Sequence, residues 1–328
     1  SVGAVSVGVI DYVANISGST NAYVTGANRT SAAGKIDILA TDVSTASPNI
    51  TQVSVGLLTV GTINVTPTIS RTTQAYVGDN ALLTAANHDI YIKAYTVSTL
   101  TNNISQVSVG AVTIGVLNMG GTISANTLAY VAKGADVAGK NVTVEADATP
   151  YLEANVDQVS VSLVNVGAMS VKNNLQGSVE AYTDENAVVT ATNLTVDAEM
   201  HVAANRQHSV FTDLFYVGVG LGVDVATATS EANISTSVKA FVGPRDNATL
   251  APGDQAIAVA DTLTIRALAT EIAEAKLTGG SGSLIANGNN FTPKAAITGN
   301  VEAYVGSNAQ LNARNLNVTT EKADAKTR

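Results

Sequence analysis

The chain has 328 residues, of which 45% are hydrophobic but only 4% aromatic and 13% charged, and it contains no tryptophan and no cysteine. The formal charge of −9 and the absence of a basic run argue against nucleic acid as a partner. Without cysteine, disulfides, thiol chemistry and thiolate metal sites are excluded. No apolar run reaches the roughly 18 residues of a membrane helix, so we expect no membrane insertion. A surface of mainly Ser, Thr, Asn and Gly favours an extracellular protein.

Three short patterns recur along the chain in a constant order. The first is Gln-Val-Ser-Val-Gly, as at 52–56. The second is Ala-Tyr-Val, as at 75–77, followed by Ala-x-Leu-x-Ala at 81–85. The third is Ile-x-Ile-x-Ala, as at 90–94. Each pattern alternates with a period of two, which is the signal of a half-buried strand and not of a helix.

The tyrosine of the second pattern marks a repeat. Its position is filled by Tyr23, Tyr76, Tyr130, Tyr182, Phe241 and Tyr304, at spacings of 53, 54, 52, 59 and 63 residues. Self-similarity at a long period is typical of stacked repeat architectures. We therefore predict an all-β fold, a β-helix (β-solenoid) of about six repeats of roughly 53 residues, forming a single elongated segment over 1–328. The approximate repeats are 1–53, 54–107, 108–159, 160–210, 211–273 and 274–328.

The alternation also predicts which side chains face the core. Aliphatic residues of the three patterns, among them Val55, Ala75 and Ile92, are expected to point inward, and the tyrosines outward. A unit of this length fits two rungs of about 26 residues or three of about 18, which gives a rod roughly 60–85 Å long. Successive tyrosines would then form a spaced row without direct contact. We consider this row either a cover for strand backbone or a possible surface contact row for sugars or a neighbouring chain.

The fifth and sixth repeats depart from the pattern. Insertions in repeat proteins emerge as loops on one face, often the binding face. We therefore expect residues 244–261 and 279–294 to form loops that contact any partner.

No catalytic, cofactor-binding or metal-binding residue is predicted. His201 and His208 are seven residues apart, which on a strand would place them on opposite faces, so they do not suggest a metal pair. We find no carboxylate pair at a spacing that would align it for glycoside chemistry. The chain is accordingly predicted not to be an enzyme and to need no cofactor.

The string Val-Glu-Ala-Tyr-Val-Gly-Ser-Asn-Ala-Gln-Leu-Asn-Ala-Arg-Asn-Leu-Asn-Val at 301–318 resembles the repeats of large bacterial filamentous adhesins, namely leukotoxin-family filamentous adhesins and filamentous haemagglutinins. The units ending at Ala40, Ala94, Ala146 and Ala198 are similar. The resemblance implies export to the cell surface and a β-helical rod for attachment and aggregation.

The resulting hypothesis is a structural or adhesive segment of an extracellular surface fibre that mediates attachment or cell–cell aggregation. Neither chain end looks like a cap, so we expect end-to-end self-association or contact with neighbouring fibre subunits. A carbohydrate or a host-cell surface is the other expected ligand class. The alternatives are a carbohydrate-processing lyase or hydrolase on a β-helix, and a passive spacer that carries a distal functional tip.

Overall fold

The computed structural model describes residues 2–26, 29–85, 87–245, 257–307 and 309–323. The fold is all-β, with 83% strand and no helix. Within the described ranges, nothing helical is long and apolar enough to cross a membrane. Runs of alternating Val, Ile, Ala and Thr explain this content, because β-branched side chains fit a pleated, half-buried surface.

There are eighteen strands in the described part of the chain. Their bounds are β1 Val2–Tyr12, β2 Asn15–Val24, β3 Arg29–Ala32, β4 Ile36–Ala46, β5 Asn49–Val65, β6 Thr68–Val77, β7 Leu82–Ala85, β8 Ile90–Val131, β9 Asp136–Gly139, β10 Asn141–Thr183, β11 Val188–Thr190, β12 Asn193–Met200, β13 Val210–Val242, β14 Ile257–Thr270, β15 Ala273–Ser283, β16 Ala286–Ile297, β17 Asn300–Val305 and β18 Gln310–Ala323. Asparagines with positive φ, such as Asn80 (54°) and Asn186 (57°), lie in the turns after the second pattern, as their Gly-Asp-Asn and Asp-Glu-Asn sequences predict.

All these strands belong to one hydrogen-bonded sheet, and their pairings are parallel. Val2 pairs with Val55, Val55 with Val109, Val109 with Val161, and Val161 with Val219. We call such a series of partners a column, and the stretch of chain between two successive members a pass. Since each pass repeats the turns of the one before, parallel partners meet without any helical crossover.

The register contradicts the expected number of rungs. Each residue pairs with the equivalent residue of the next 53-residue unit, as in Ala22 with Ala75 and Ala75 with Ala129. A unit therefore contributes one pass and not two or three. At about 4.8 Å per pass, the six passes extend about 25–30 Å along the stacking direction, instead of the 60–85 Å expected from the sequence.

The apolar core is divided into three clusters. The largest combines the second and third patterns, and it includes Ala75, Val77, Ile90 and Ile92, all fully buried as predicted. The second cluster contains Ile63, Val65, Ile104 and Leu117 among others. The third is built around Ile69, Leu100 and Ile123. Each pass adds one set of side chains to each cluster, so the core lengthens with every pass.

The prediction that Val55 points inward is wrong. Its side chain is 38% exposed, and the interior side of its strand carries Gln52 and Ser54, which are buried. The same inversion recurs in the next passes at Gln106 with Ser108. The facing strand explains it, because Gln106 Nε2 donates to Gln52 Oε1 at 2.8 Å and both amides lie against Gly61. The interior here accepts polar groups that hydrogen-bond between passes.

The prediction of loops in the fifth and sixth repeats is wrong for most of the residues that the structure describes there. Except for a bend at 284–285, residues 279–294 lie in β15 and β16, which pair in parallel with β13. Gly279 pairs with Tyr216 and Gly282 with Val219. A glycine-rich segment can continue the sheet, because the hydrogen bonds come from the backbone and the preceding pass imposes the register. Of the other predicted loop, 257–261 are in β14, 246–256 lie outside the described residues, and 244–245 follow β13.

Candidate functional site

The aromatic residues of the second pattern form a continuous column. Ring centroids of Tyr23 and Tyr76 are 5.0 Å apart, and those of Tyr76 and Tyr130 are 4.8 Å apart with planes inclined by 1°. The column continues through Tyr182, Phe241 and Tyr304 at 4.8–5.0 Å. The predicted spaced row without contact is therefore wrong. One pass per unit brings the rings to the spacing of adjacent strands, and the rings stack.

The tyrosines lie on the opposite side of their strand from the core residues Ala75 and Val77, as the alternation predicted. Their exposure varies along the column. Tyr23 is 54% exposed, Tyr182 is 7% exposed and Phe241 is fully buried. Arg245, just after β13, lies over the Tyr182 ring at 5.2 Å and pairs with Glu180 at 2.7 Å.

Burial changes the acidity of the stacked phenols. It raises the pKa of Tyr182 to about 12, against the opposing effect of Arg245. It also raises the pKa of Tyr130, with smaller contributions from Tyr182 and Tyr76. These phenols are neutral hydrogen-bonding groups over the physiological range and cannot act as bases there.

Stacking limits what the column can bind. A sugar that packs on an aromatic side chain needs a free ring face. In this column both faces of Tyr76, Tyr130, Tyr182 and Phe241 are covered by neighbouring rings. The half-buried Tyr76 and Tyr130 therefore offer only ring edges and hydroxyl groups to a partner, and the main effect of the column is to hold successive passes together.

A second surface brings together four carboxylates that sequence analysis did not pair. Glu145 pairs with Asp197 across adjacent strands, and Asp147 pairs with Glu199. The two columns are two residues apart on β10 and β12, so all four side chains lie on the same outer face. We call this group the carboxylate patch.

Cations and hydroxyl groups surround the patch. Lys93 Nζ and Tyr95 OH donate to the two oxygens of Glu145 at 2.7 and 2.6 Å. Arg266 donates to Asp197 at 2.7 Å and also pairs with Glu199. These contacts form an ion-pair ladder across four passes, in which Lys93 and Arg266 flank the adjacent carboxylates Glu145 and Asp197.

Asp147 is less well paired than the other three carboxylates of the patch. His201 Nε2 lies 2.7 Å from Glu199 Oε2 and 3.7 Å from Asp147 Oδ1. Asp147 Oδ1 is buried and accepts no hydrogen bond. Burial raises the pKa of Asp147, opposed by His201, and burial also raises the pKa of Asp197, opposed by Arg266. Asp147 is thus the carboxyl group of the patch with the weakest compensation for its desolvation.

The expectation that no carboxylates align is wrong, and the signal was present in the sequence. Glu145 and Asp197 are 52 residues apart, as are Asp147 and Glu199, which equals the Tyr130–Tyr182 spacing. In a parallel stack, residues separated by one repeat become direct neighbours. A search at the repeat interval, and not at short range, would have found both pairs.

His201 and His208 both lie in the corner between β12 and β13. They are not on one strand, as the sequence analysis had assumed. His201 contacts Glu199, whereas His208 Nε2 lies 2.7 Å from Glu274 Oε2 and its ring stacks on Phe211. Across the described ranges, no group of three or more His, Asp or Glu side chains is placed to hold a metal ion.

Comparison with known proteins adds no relationship. No protein-family model matches the chain, and no curated protein and no solved structure matches it either.

Proposed function

We propose that the chain is a β-solenoid segment of an extracellular surface fibre, and that it serves in attachment or cell–cell aggregation. The observation that supports this most is the pairing in register of each pass with the next, from β1 through to β18. A fold built this way grows in one direction by adding passes, and its length is not limited by a closed core. A fibre needs a length that can be extended and a surface that repeats along that length.

The outer strands support growth along the same direction. In the described part of the chain, β1 pairs only with β5, and β18 only with β14. Their other edges carry backbone N–H and C=O groups that a further strand in the same register would satisfy. We propose that a neighbouring fibre segment occupies these edges, with a carbohydrate or cell-surface ligand contacted by the sides of the fibre.

Electron microscopy with diffraction tests the fibre. Purified chain at high concentration, or native surface material that contains it, should form thin filaments with a spacing of about 4.8 Å along the filament axis. Particles that stay compact at every concentration, with native material showing no such axial spacing, would exclude it.

Attachment needs a separate test, because a passive spacer would also form filaments. The purified segment should compete with intact fibres for binding to target cells. If filaments form and no competition is seen, the spacer is the correct assignment.

The carboxylate patch supports a second candidate, a carbohydrate-processing enzyme. Asp147, whose pKa is raised by burial, lies beside the carboxylates Glu145 and Glu199, which is the kind of arrangement that a general acid needs. The cation or hydroxyl partners of Glu145, Asp197 and Glu199 make a structural ion-pair ladder the better explanation. Turnover on a panel of polysaccharides that disappears in Asp147→Asn would instead make the enzyme the better explanation of the patch.

A further inference from the structure

The outer face of the third pattern contains an open cleft between the first and second passes. Its volume is about 340 Å³, which is at the lower end of the range of small-ligand sites. Two tyrosines line it together with aliphatic and charged side chains, and the full set is Asp37, Ile38, Leu39, Tyr91, Lys93 and Tyr95. We call it the tyrosine cleft.

The register of β4 with β8 explains why a cleft is present here. Each outward side chain of β4 pairs with a longer one of β8, namely Asp37 with Tyr91, Leu39 with Lys93 and Thr41 with Tyr95. On the other side of β8, the same two tyrosines pair with Thr143 and Asp147. The tyrosines therefore stand between shorter side chains in both adjacent passes. Leu39, which lies between their two partners on β4, remains 55% exposed.

The two tyrosines of the cleft differ from those of the aromatic column. In the described part of the chain no other ring stacks on Tyr91 or Tyr95, because their partners in the adjacent passes are not aromatic. Both are half-buried, so their rings are held by neighbouring side chains and still reach solvent. Four residues of strand separate them by about 13 Å, a distance that a short oligosaccharide can span. A ring without a stacked neighbour, with a hydroxyl at its edge, suits the apolar faces and polar rim of a sugar.

The ion pairs of the cleft select against charged ligands. Lys93 Nζ is 2.7 Å from Glu145 Oε2, and Lys35 Nζ is 2.8 Å from Asp37 Oδ2. An anionic ligand would have to displace one of these carboxylates. Lys93 Nζ also lies 5.2 Å from the centre of the Tyr91 ring, in the position that a ligand cation would need. The cleft therefore favours a neutral ligand.

The polar groups of the cleft can still bind hydroxyl groups. Tyr95 OH donates to Glu145 Oε1 at 2.6 Å, and its oxygen can also accept a hydrogen bond. Burial and the bond to Glu145 raise the pKa of Tyr95, so this hydroxyl stays protonated. The Asp37 side chain is 45% exposed, and a carboxylate paired with one lysine can accept further hydrogen bonds. Sugar hydroxyls both donate and accept, and so match this combination.

Peptides and lipids fit the cleft less well. An extended peptide that adds to a sheet needs an unpaired strand edge, but β8 is paired on both sides at the cleft. A lipid surface or an amphipathic helix needs a continuous apolar face, which Asp37 and Lys93 interrupt here.

We propose that the tyrosine cleft binds a neutral oligosaccharide, with sugar rings packed on Tyr91 and Tyr95 and hydroxyl groups bonded to Asp37 and the Tyr95 hydroxyl. The inference deepens the proposed function and rests on it, because it assigns the carbohydrate that the sides of the fibre contact to one cleft. It also separates two roles of tyrosine in this chain. The aromatic column holds passes together, and the cleft binds the ligand.

A glycan array followed by calorimetry tests the cleft. The array carries neutral oligosaccharides of glucose, galactose, mannose and N-acetylglucosamine beside sialylated and sulfated ones, and the parent chain should bind neutral members. Isothermal titration with a bound oligosaccharide should give a Kd at least about tenfold higher for Tyr91→Ala and for Tyr95→Ala. Circular dichroism confirms that each variant is folded.

Two further variants separate the cleft from a general loss of aromatic surface. Thr41→Tyr keeps both tyrosines and places a ring beside Tyr95 in the adjacent pass, where it should stack as in the aromatic column and weaken binding. Phe215→Ala removes an exposed ring of β13 that lies outside the cleft, and this matched control should bind like the parent.

Three outcomes would overturn the proposal. The parent binds no neutral oligosaccharide at about 100 μM protein, or only the acidic ones. The folded Tyr91→Ala and Tyr95→Ala variants bind as tightly as the parent. Phe215→Ala loses binding and the tyrosine variants do not, so that another cleft is used.

The fibre and the cleft can fail separately. If both tyrosine variants form filaments and still compete with intact fibres on target cells, the cleft is not the attachment site and the fibre assignment stands. If oligosaccharide binding depends on Tyr91 and Tyr95 but no filaments form, the cleft stands and the fibre assignment fails.

Discussion

At the scale of the residue, desolvation sets the chemistry of the carboxylate patch. Glu145, Asp197 and Glu199 have strong donors at hydrogen-bonding distance, but Asp147 Oδ1 is buried without one. Partnered carboxylates on a strand surface stabilise the stacking of passes, whereas an uncompensated one favours the protonated form. The patch therefore combines a structural ladder with one group whose ionisation is unfavourable in the folded chain.

This asymmetry predicts a pH-dependent effect of Asp147→Asn. The folded-state pKa of Asp147 is raised above the unfolded value of about 3.9. Between these two values the folded chain binds more protons, so its stability falls as pH rises through that window. The variant cannot ionise, so it should have a higher thermal midpoint than the parent at pH 7, and the difference should vanish below pH 4.

Thermal unfolding followed by circular dichroism between pH 3.5 and 8 measures this difference. Asp157→Asn is the control, because that exposed carboxylate is solvated by water in both states. A lower midpoint for Asp147→Asn at pH 7 would mean that the charged form of Asp147 stabilises the fold.

At the scale of the element, aligned columns connect one pass to the next. The aromatic column, the Gln52–Gln106 pair and the Lys93–Glu145 pair each join residues one repeat apart. A substitution in the middle of a column removes contacts with two neighbouring side chains, and a substitution at its end removes contacts with one. The cost of a change thus depends on the pass in which it lies, even where the local sequence is the same.

The aromatic column offers a direct comparison. Tyr130→Ala removes a ring stacked on both faces, and we expect a loss of about 3 kcal/mol in the free energy of unfolding. Tyr23→Ala removes an exposed ring stacked on one face and should cost about 1 kcal/mol or less. Urea denaturation of both variants measures the difference. Equal losses would show that stacking between passes contributes little and that each tyrosine acts only within its own strand.

At the scale of the whole molecule, one sheet with parallel register makes the middle of the stack different from its ends. β8 and β10 are paired on both sides, and they run for 42 and 43 residues without a break. β1 and β18 are paired on one side among the described strands. Opening of a strand with one paired edge breaks half as many hydrogen bonds.

Hydrogen exchange measured by mass spectrometry should follow this order. We expect peptides from 90–131 and 141–183 to exchange slowest, and peptides from 2–12 and 310–323 to exchange at least about tenfold faster. Addition of a chain that pairs with the outer strands should slow the second group selectively. Uniform protection along the chain would show that the passes open together and that the outer edges are already covered.

The sequence alone determined the all-β class, the repeat interval and the buried face of the third pattern. It could do so because Ile90-x-Ile92-x-Ala94 alternates strongly apolar with polar side chains, and only one face of such a strand can be buried. The turns with Asn80 and Asn186 were also predictable, since few residues other than asparagine and glycine adopt positive φ.

Only the tertiary structure decided how many passes a unit makes, and this determines the contacts of the columns. A period of two is the same in a strand of any length, so it cannot show where the chain turns back on itself. One pass per unit placed Tyr76 on Tyr130 and Glu145 beside Asp197. The orientation of the first pattern was equally undecided, because hydrophobicity alone would bury Val55. The opposing wall, with Gly61 leaving room for the paired amides of Gln52 and Gln106, reverses that preference.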